Sequence, residues 1–257
     1  MKRFFAFLIL FLGIFSTAVS AAPEEPVSLQ TSDHLTLQAL YYPLQDAKAS
    51  ILLIHMLGRD KSDWKNFAQA LQAKGYDALA IDLRGHGDSS QQGDAVLNWK
   101  NFSDKNFKMM IEDVDAGYQW LKHKNGGSKP IFMIGASVGA NLVLIYTSQN
   151  PEVKGAVLLS PGLDYHGLQI ARYTAQYKDR PLLMVAARDD EYSLVSTRYL
   201  MDIAKIDDKT LKDYPPGAGH GTQIFNFKPA EKNETALQDL LLDWIGKRLS
   251  ASAPSPK

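Results

Sequence analysis

Residues Ile131-Phe132-Met133-Ile134-Gly135-Ala136-Ser137-Val138-Gly139-Ala140 decide the fold of this chain. A continuous apolar run, as in a strand buried on both faces, meets Gly-x-Ser-x-Gly and then the apolar residues of a helix near Val138–Gln149. A serine on so tight a strand-to-helix turn must adopt strained backbone angles, and the flanking glycines let strand and helix approach without a Cβ clash. The following helix points its N-terminal amides at the serine, where an oxyanion would form. The bare pattern is weak: with Gly and Ser each near ~7% of residues, it occurs in roughly one chain in ten of this length. The strand before it and the helix after it make it specific.

The same alternation of buried strand and helix extends in both directions. Val27–Gln30 and Leu35–Tyr42 alternate apolar and polar side chains, which predicts an antiparallel pair turning at Thr31–His34. Ile51–His55, Tyr76–Ile81, Ala156–Leu159 and Leu182–Ala187 read as further strands, and Lys209–Tyr214 as a last one. Between them, Ser62 and Asp63 are expected to cap a helix that ends at Gly75, one helix carries Phe107 to about Lys122, and others cover Leu194–Ala204 and Thr235–Leu249. Strands alternating with helices argue for a single α/β domain with a mostly parallel sheet.

Composition closes several functional classes. The 257 residues carry 28 Lys+Arg against 28 Asp+Glu and no Cys. Neutrality removes the basic footprint of a nucleic-acid binder, and the missing Cys removes disulfides, thiolate metal sites and a thiol nucleophile. His123 and His166 are isolated from any ligand-like spacing, and no Gly-x-Gly-x-x-Gly opens a helix after a strand, so neither a metal nor a cofactor is expected. Lys2 and Arg3, an apolar stretch from Phe4 to Phe15 and small residues at 18–22 form the three-part pattern of a secretory signal, with cleavage after Ser20 or Ala21. The expected organisation is a signal peptide at 1–21, one domain at 22–250 and a flexible Ser/Ala/Pro-rich tail at 251–257. Such a chain is expected to be exported, to a periplasm or the medium, with no stable membrane insertion once the signal is cut; the alternative is an uncleaved anchor, for which Phe4 to Val19 is slightly shorter than the ~20 residues that span a bilayer.

A serine nucleophile needs an acid and a histidine, each on a loop at the carboxyl end of a later strand. Leu182–Ala187 runs into Asp189-Asp190-Glu191, and Lys209–Tyr214 runs into Pro215-Pro216-Gly217-Ala218-Gly219-His220-Gly221. The order is Ser137, one acid of the triplet, His220. Only one of the three adjacent acids can reach the imidazole, and the others are left to solvent or to capping the next helix.

With these residues in place, the chain resembles the α/β-hydrolases along nearly its whole length after the signal. Ile54-His55-Met56-Leu57-Gly58 is similar to that family's His-Gly-x-Gly oxyanion loop, Asp82-Leu83-Arg84-Gly85-His86-Gly87-Asp88-Ser89 to its Asp-x-Arg-Gly-x-Gly-x-Ser turn, and Gly135–Gly139 to its nucleophile elbow. The resemblance implies an α/β-hydrolase fold with an N-terminal antiparallel hairpin, helices on both faces of the sheet, and a triad of Ser137, Asp190 and His220. Asp190 is favoured because the family's acid stands three residues after a small residue ending its strand, here Ala187. It also implies an oxyanion hole from the backbone amides of Leu57 and Val138. Met56 departs from the family's glycine and is expected to narrow the pocket or redirect the loop. His55 and His86 hold positions that are structural in the family.

Only 22 residues separate Leu159 from Leu182, too few for a full lid, so no large cap domain and an open site are expected. Trp99, Phe102, Tyr165, Tyr173, Tyr177 and Tyr192 lie in segments able to line such a cleft, while Trp64 and Trp244 fall on helical core stripes. The expected function is cleavage of carboxylic esters, free or polymer-borne, through an acyl-enzyme. A thioesterase or lipase on the same site, and a non-catalytic binding protein on the same fold, are the alternatives.

Overall fold

The computed structural model describes residues 22–230 and 234–251. The signal segment expected at 1–21 lies outside them, as does the expected tail apart from Ala251, which ends the last helix. Among the described residues one eight-stranded sheet forms the frame: β1 (Glu25–Gln30), β2 (Thr36–Tyr42), β3 (Ser50–Ile54), β4 (Asp77–Ile81), β5 (Ile131–Ala136), β6 (Gly155–Leu159), β7 (Leu182–Ala187) and β8 (Lys209–Tyr214), in the order β1-β2-β4-β3-β5-β6-β7-β8. The β1–β2 hairpin and the β2–β4 pair are antiparallel, and every other pairing is parallel. From β3 the chain goes to β4 on one side and later to β5 on the other. The sheet therefore reverses its winding at β3 and β5, and their carboxyl ends open on the crevice where open α/β sheets place their ligands.

Alternation along the strands divides the core into two layers. Ile51 and Leu53 face α1 (Lys65–Ala73) and α7 (Leu237–Ala251), whose Trp64-flanked Phe67 and Leu71 and whose Leu241, Trp244 and Ile245 complete that layer. Leu52 and Ile54 face the opposite layer, built from α3 (Ile111–Lys124), α4 (Val138–Gln149) and α6 (Glu191–Ile203). Helix α4 is buried from Val138 to Thr147 on every side, because α3 and α5 (Ala171–Gln176) cover the face turned away from the sheet. The 22 residues from Ser160 to Pro181 hold only a two-residue hairpin, Asp164–Tyr165 with Leu168–Gln169, and α5; no large cap covers the sheet.

Local structure departs from the sequence reading at two helices. Asp60, rather than Ser62 or Asp63, caps the turn that leads into α1, its carboxylate accepting from the Ser62 amide at 2.8 Å. Asp63 is engaged elsewhere, by Arg59 and by the Thr222 hydroxyl. The helix expected to run unbroken from Phe107 to Lys122 is two, α2 (Asp104–Met109) and α3, with Met110 ending one and starting the other. Gly75 does close α1: at φ +96° its amide reaches Gln72 and the next amide reaches Leu71, the paired bonds of a Schellman ending.

Arg84 ties three parts of the molecule together. Its guanidinium and backbone amide bind the fully buried Asp113 of α3, and the same guanidinium binds Asp33 in the β1–β2 turn. Removing one partner strands a charge inside the protein, which costs more than the pair contributes. Arg84→Met is therefore expected to lower stability by about 3–5 kcal/mol in urea unfolding; an unchanged midpoint would show that the pair is not needed.

Candidate active site

The chain between β5 and α4 turns at Ser137, whose φ of +53° and ψ of −119° lie outside the regions that residues with a Cβ ordinarily occupy. Two close approaches hold it there. A Cβ on Gly135 would stand 2.2 Å from the Gly139 carbonyl oxygen, and one on Gly139 would stand 2.5 Å from the His55 carbonyl oxygen. Strand, helix and the loop after β3 thus touch backbone to backbone. The Ser137 amide is spent on the Leu159 carbonyl at 2.8 Å, which carries the β5–β6 ladder into the turn.

At the ends of β7 and β8 the structure brings Asp190 and His220 together, with His220 Nδ1 at 2.7 Å from Asp190 Oδ2. Facing an ionised carboxylate, Nδ1 carries the proton, which leaves Nε2 free to accept one. Burial acts to raise the Asp190 pKa, but the His220 ring, aided by Ser193 and Ser160, outweighs it and holds the carboxyl below its ordinary value. The other acids of the triplet part ways. Asp189 accepts from the Gly217 amide at 2.7 Å and anchors the loop leading to His220, and Glu191 begins α6.

The Ser137 hydroxyl and the His220 ring are not hydrogen-bonded to each other; what they share is Tyr165. Its ring stands edge-on to His220 with centroids 6.4 Å apart. Its hydroxyl lies among the hydroxyls of Ser193 and Ser137, which act to lower a pKa that burial raises. Tyr192 also stands edge-on to Tyr165, with centroids 5.6 Å apart, and only a glycine fits at position 162, where a Cβ would meet both rings at 2.6 Å. Of the other aromatic residues considered from the sequence, Tyr177 is core, Phe102 packs on Phe107, Tyr173 pairs with Arg172, and Trp99 stacks on His86 beside Gly58.

The loop after β3 lies against the start of α4. Val138 is the first residue of α4, so its amide has no intrahelical acceptor, and among the described residues nothing accepts from the Leu57 amide. Met56 is buried under the histidine loop, against Gly221 and with its sulfur 3.7 Å from the Thr222 hydroxyl. Beside this loop Gly58, His86 and Trp99 line an opening of about 370 Å³. Ser160 and Ser193, which surround Asp190, were not legible as site residues. The available signal was a polar residue directly after the apolar strand β6, at the ligand-binding edge of the sheet.

His55 accepts from the Leu83 amide at Nε2 and reaches the Met56 carbonyl through Nδ1, and so splices the loops after β3 and β4. Burial pushes the pKa of His55 and of its neighbour His86 down to about 4. An unfolded histidine binds its proton near 6.5, so stability present above that pH is lost as pH falls toward 4, by up to about 3 kcal/mol per ring. His55→Gln is expected to lose less stability than the wild type between pH 7 and pH 5 in urea unfolding. Equal losses would remove His55 as a cause.

Comparison with known proteins agrees with this architecture. The model of the family described as serine aminopeptidase, S33 matches residues 45–179, just over half of the chain. No curated protein matches. Among solved structures, an esterase from Pyrococcus furiosus is 18% identical with a TM-score of 0.68, over 88% of this chain and 92% of that one. A soluble variant of monoglyceride lipase from Saccharomyces cerevisiae is 15% identical with a TM-score of 0.70, over 91% and 98%. A dienelactone hydrolase from Anabaena variabilis is 17% identical with a TM-score of 0.69, over 88% and 97%. At these identities the structural likeness carries the fold alone, and the family match carries the rest: the chain belongs to the S33 serine aminopeptidase family, within the α/β-hydrolases.

Proposed function

We propose that this protein is an exported serine hydrolase that cleaves carboxylic esters through an acyl-enzyme formed on Ser137. The observation that supports it most is the 2.7 Å bond between His220 and Asp190, on the loops that follow β7 and β8 at the same edge of the sheet as the Ser137 turn. In this reading Ser137 Oγ attacks the acyl carbon while His220 Nε2 takes its proton, and Asp190 orients the imidazole and stabilises its charged form. The negative charge that develops on the carbonyl oxygen is met by the amides of Leu57 and Val138. The carbon–oxygen bond to the alcohol then breaks and the alkoxide takes the proton from His220. Water, deprotonated by the same nitrogen, attacks the acyl carbon; the bond from that carbon to Ser137 Oγ breaks, His220 returns the proton to Oγ, and the acid leaves. Each step uses groups of the chain itself and water.

Esters are preferred to peptides although the family carries a peptidase's name. Holding a peptide terminus takes an added domain or a charged pocket, and the connection from Ser160 to Pro181 is spent on a small hairpin and α5. A site without a large cap also suits esters borne on a polymer.

Purified protein beginning at Ala22 is expected to hydrolyse chromogenic esters. Ser137→Ala and His220→Ala should abolish turnover, and Asp190→Asn should lower kcat by about 10³–10⁴. Asp189→Asn should cost less than about tenfold, since Asp189 bonds only the loop backbone. The preferred acyl length, from acetyl to palmitoyl, separates esterase from lipase, and thioesters offered in parallel test the third reading. A folded protein inert to all of them would favour the binding-protein reading. Expressed in a bacterium with its full N-terminus, the exported protein should begin at Ala21 or Ala22; a product retaining Lys2 and Arg3 would overturn export by a cleaved signal.

A further inference from the structure

Ser160 follows β6, and the proposed chemistry makes no use of it. It is fully buried, and its φ of +51° is strained for any residue with a Cβ. Its amide is fixed on the Val185 carbonyl at 2.7 Å. Its side-chain oxygen accepts from the amide of Gly221, the residue beside His220, at 2.9 Å. A hydroxyl that accepts one bond still has one proton to donate. The same hydroxyl favours the ionised form of the nearby Asp190 carboxylate. The Ser160 carbonyl meanwhile accepts from the Tyr165 hydroxyl at 3.3 Å, beneath the ring that stands against His220. One residue therefore binds both the loop of the histidine and the tyrosine whose ring stands against that histidine.

We propose that Ser160 is a positioning residue for the reaction at Ser137: its hydroxyl, lodged between the loops that end β7 and β8, sets the alignment of the Asp190–His220 pair. The backbone argues the same way. Glycine takes φ near +51° without strain, so backbone energy alone would place a glycine here. A serine held in that conformation is retained for its hydroxyl.

The inference rests on the serine-hydrolase reading, and its test must tell the two apart. Ser160→Ala and Ser160→Gly both remove the hydroxyl, but only the glycine relieves the strain, so the glycine variant should melt higher than the alanine variant. An alkyl fluorophosphonate serves as the probe, with its saturating labelling rate and its half-saturation concentration measured separately, alongside thermal melting. The saturating rate is expected to fall about ten- to hundred-fold in both variants, the cost of leaving the buried Gly221 amide beside His220 without its acceptor. The half-saturation concentration should stay within twofold. A glycine variant that labels at the wild-type rate overturns the assignment, and so does a loss that follows the melting temperature or that falls in half-saturation instead. A wild type that never labels overturns the serine-hydrolase reading and this inference with it, whereas a reactive wild type with an equally reactive Ser160→Gly overturns this inference alone.

Discussion

A close backbone contact at the end of β5 governs the geometry around it. Gly135, Gly139 and the His55 carbonyl meet with no room for a Cβ at either glycine. That contact fixes how near α4 comes to the sheet and how near the loop after β3 comes to α4, and it holds Ser137 in a conformation that a free chain would leave. Burial of α4 on all sides supplies the means. A helix with no wet face cannot shift outward to relax the turn, and the strain is held by the packing of two layers rather than by any local bond.

Ser160 repeats the device one strand over. It and Ser137 are non-glycine residues with positive φ, they follow the adjacent strands β6 and β5, and each spends its amide on the neighbouring strand's ladder. The carboxyl edge of the sheet thus ends in two strained serines, with the Asp190–His220 pair across from them. Other links brace this edge from outside. Asp189 holds the approach to His220, Thr222 ties the far side of the histidine loop to Asp63, and Asp63 is clamped by Arg59 of the loop after β3. The loops that would carry the chemistry are bonded to one another as well as to the strands behind them.

Most of the frame could be read from the sequence because its signals are local. Strands buried on both faces appear as unbroken apolar runs, the β1–β2 hairpin as clean alternation, and the Ser137 turn as glycines at fixed offsets. What escaped depends on partners distant in sequence. Asp63 looked like a helix cap, but a residue 159 positions away, Thr222, claims its carboxylate and leaves capping to Asp60. Met56 packs beneath the histidine loop against Gly221 and Thr222, the latter 166 positions away, and nothing in the sequence around position 56 shows it. Ser160 and Ser193 sit 33 residues apart and meet only where β6 ends and α6 begins. The three adjacent acids show the limit plainly, since spacing alone left them open while geometry gives each a separate partner or place.

The central claim is that Ser137 is the covalent nucleophile and that His220 activates it. Its most direct test is mass spectrometry of the intact and then the digested protein after exposure to a fluorophosphonate, for the wild type and for His220→Ala. The account requires one adduct per wild-type chain, carried on the peptide containing Ser137, and a loss of labelling when His220 is replaced. An adduct on another serine, or full labelling of Ser137 without His220, would contradict it.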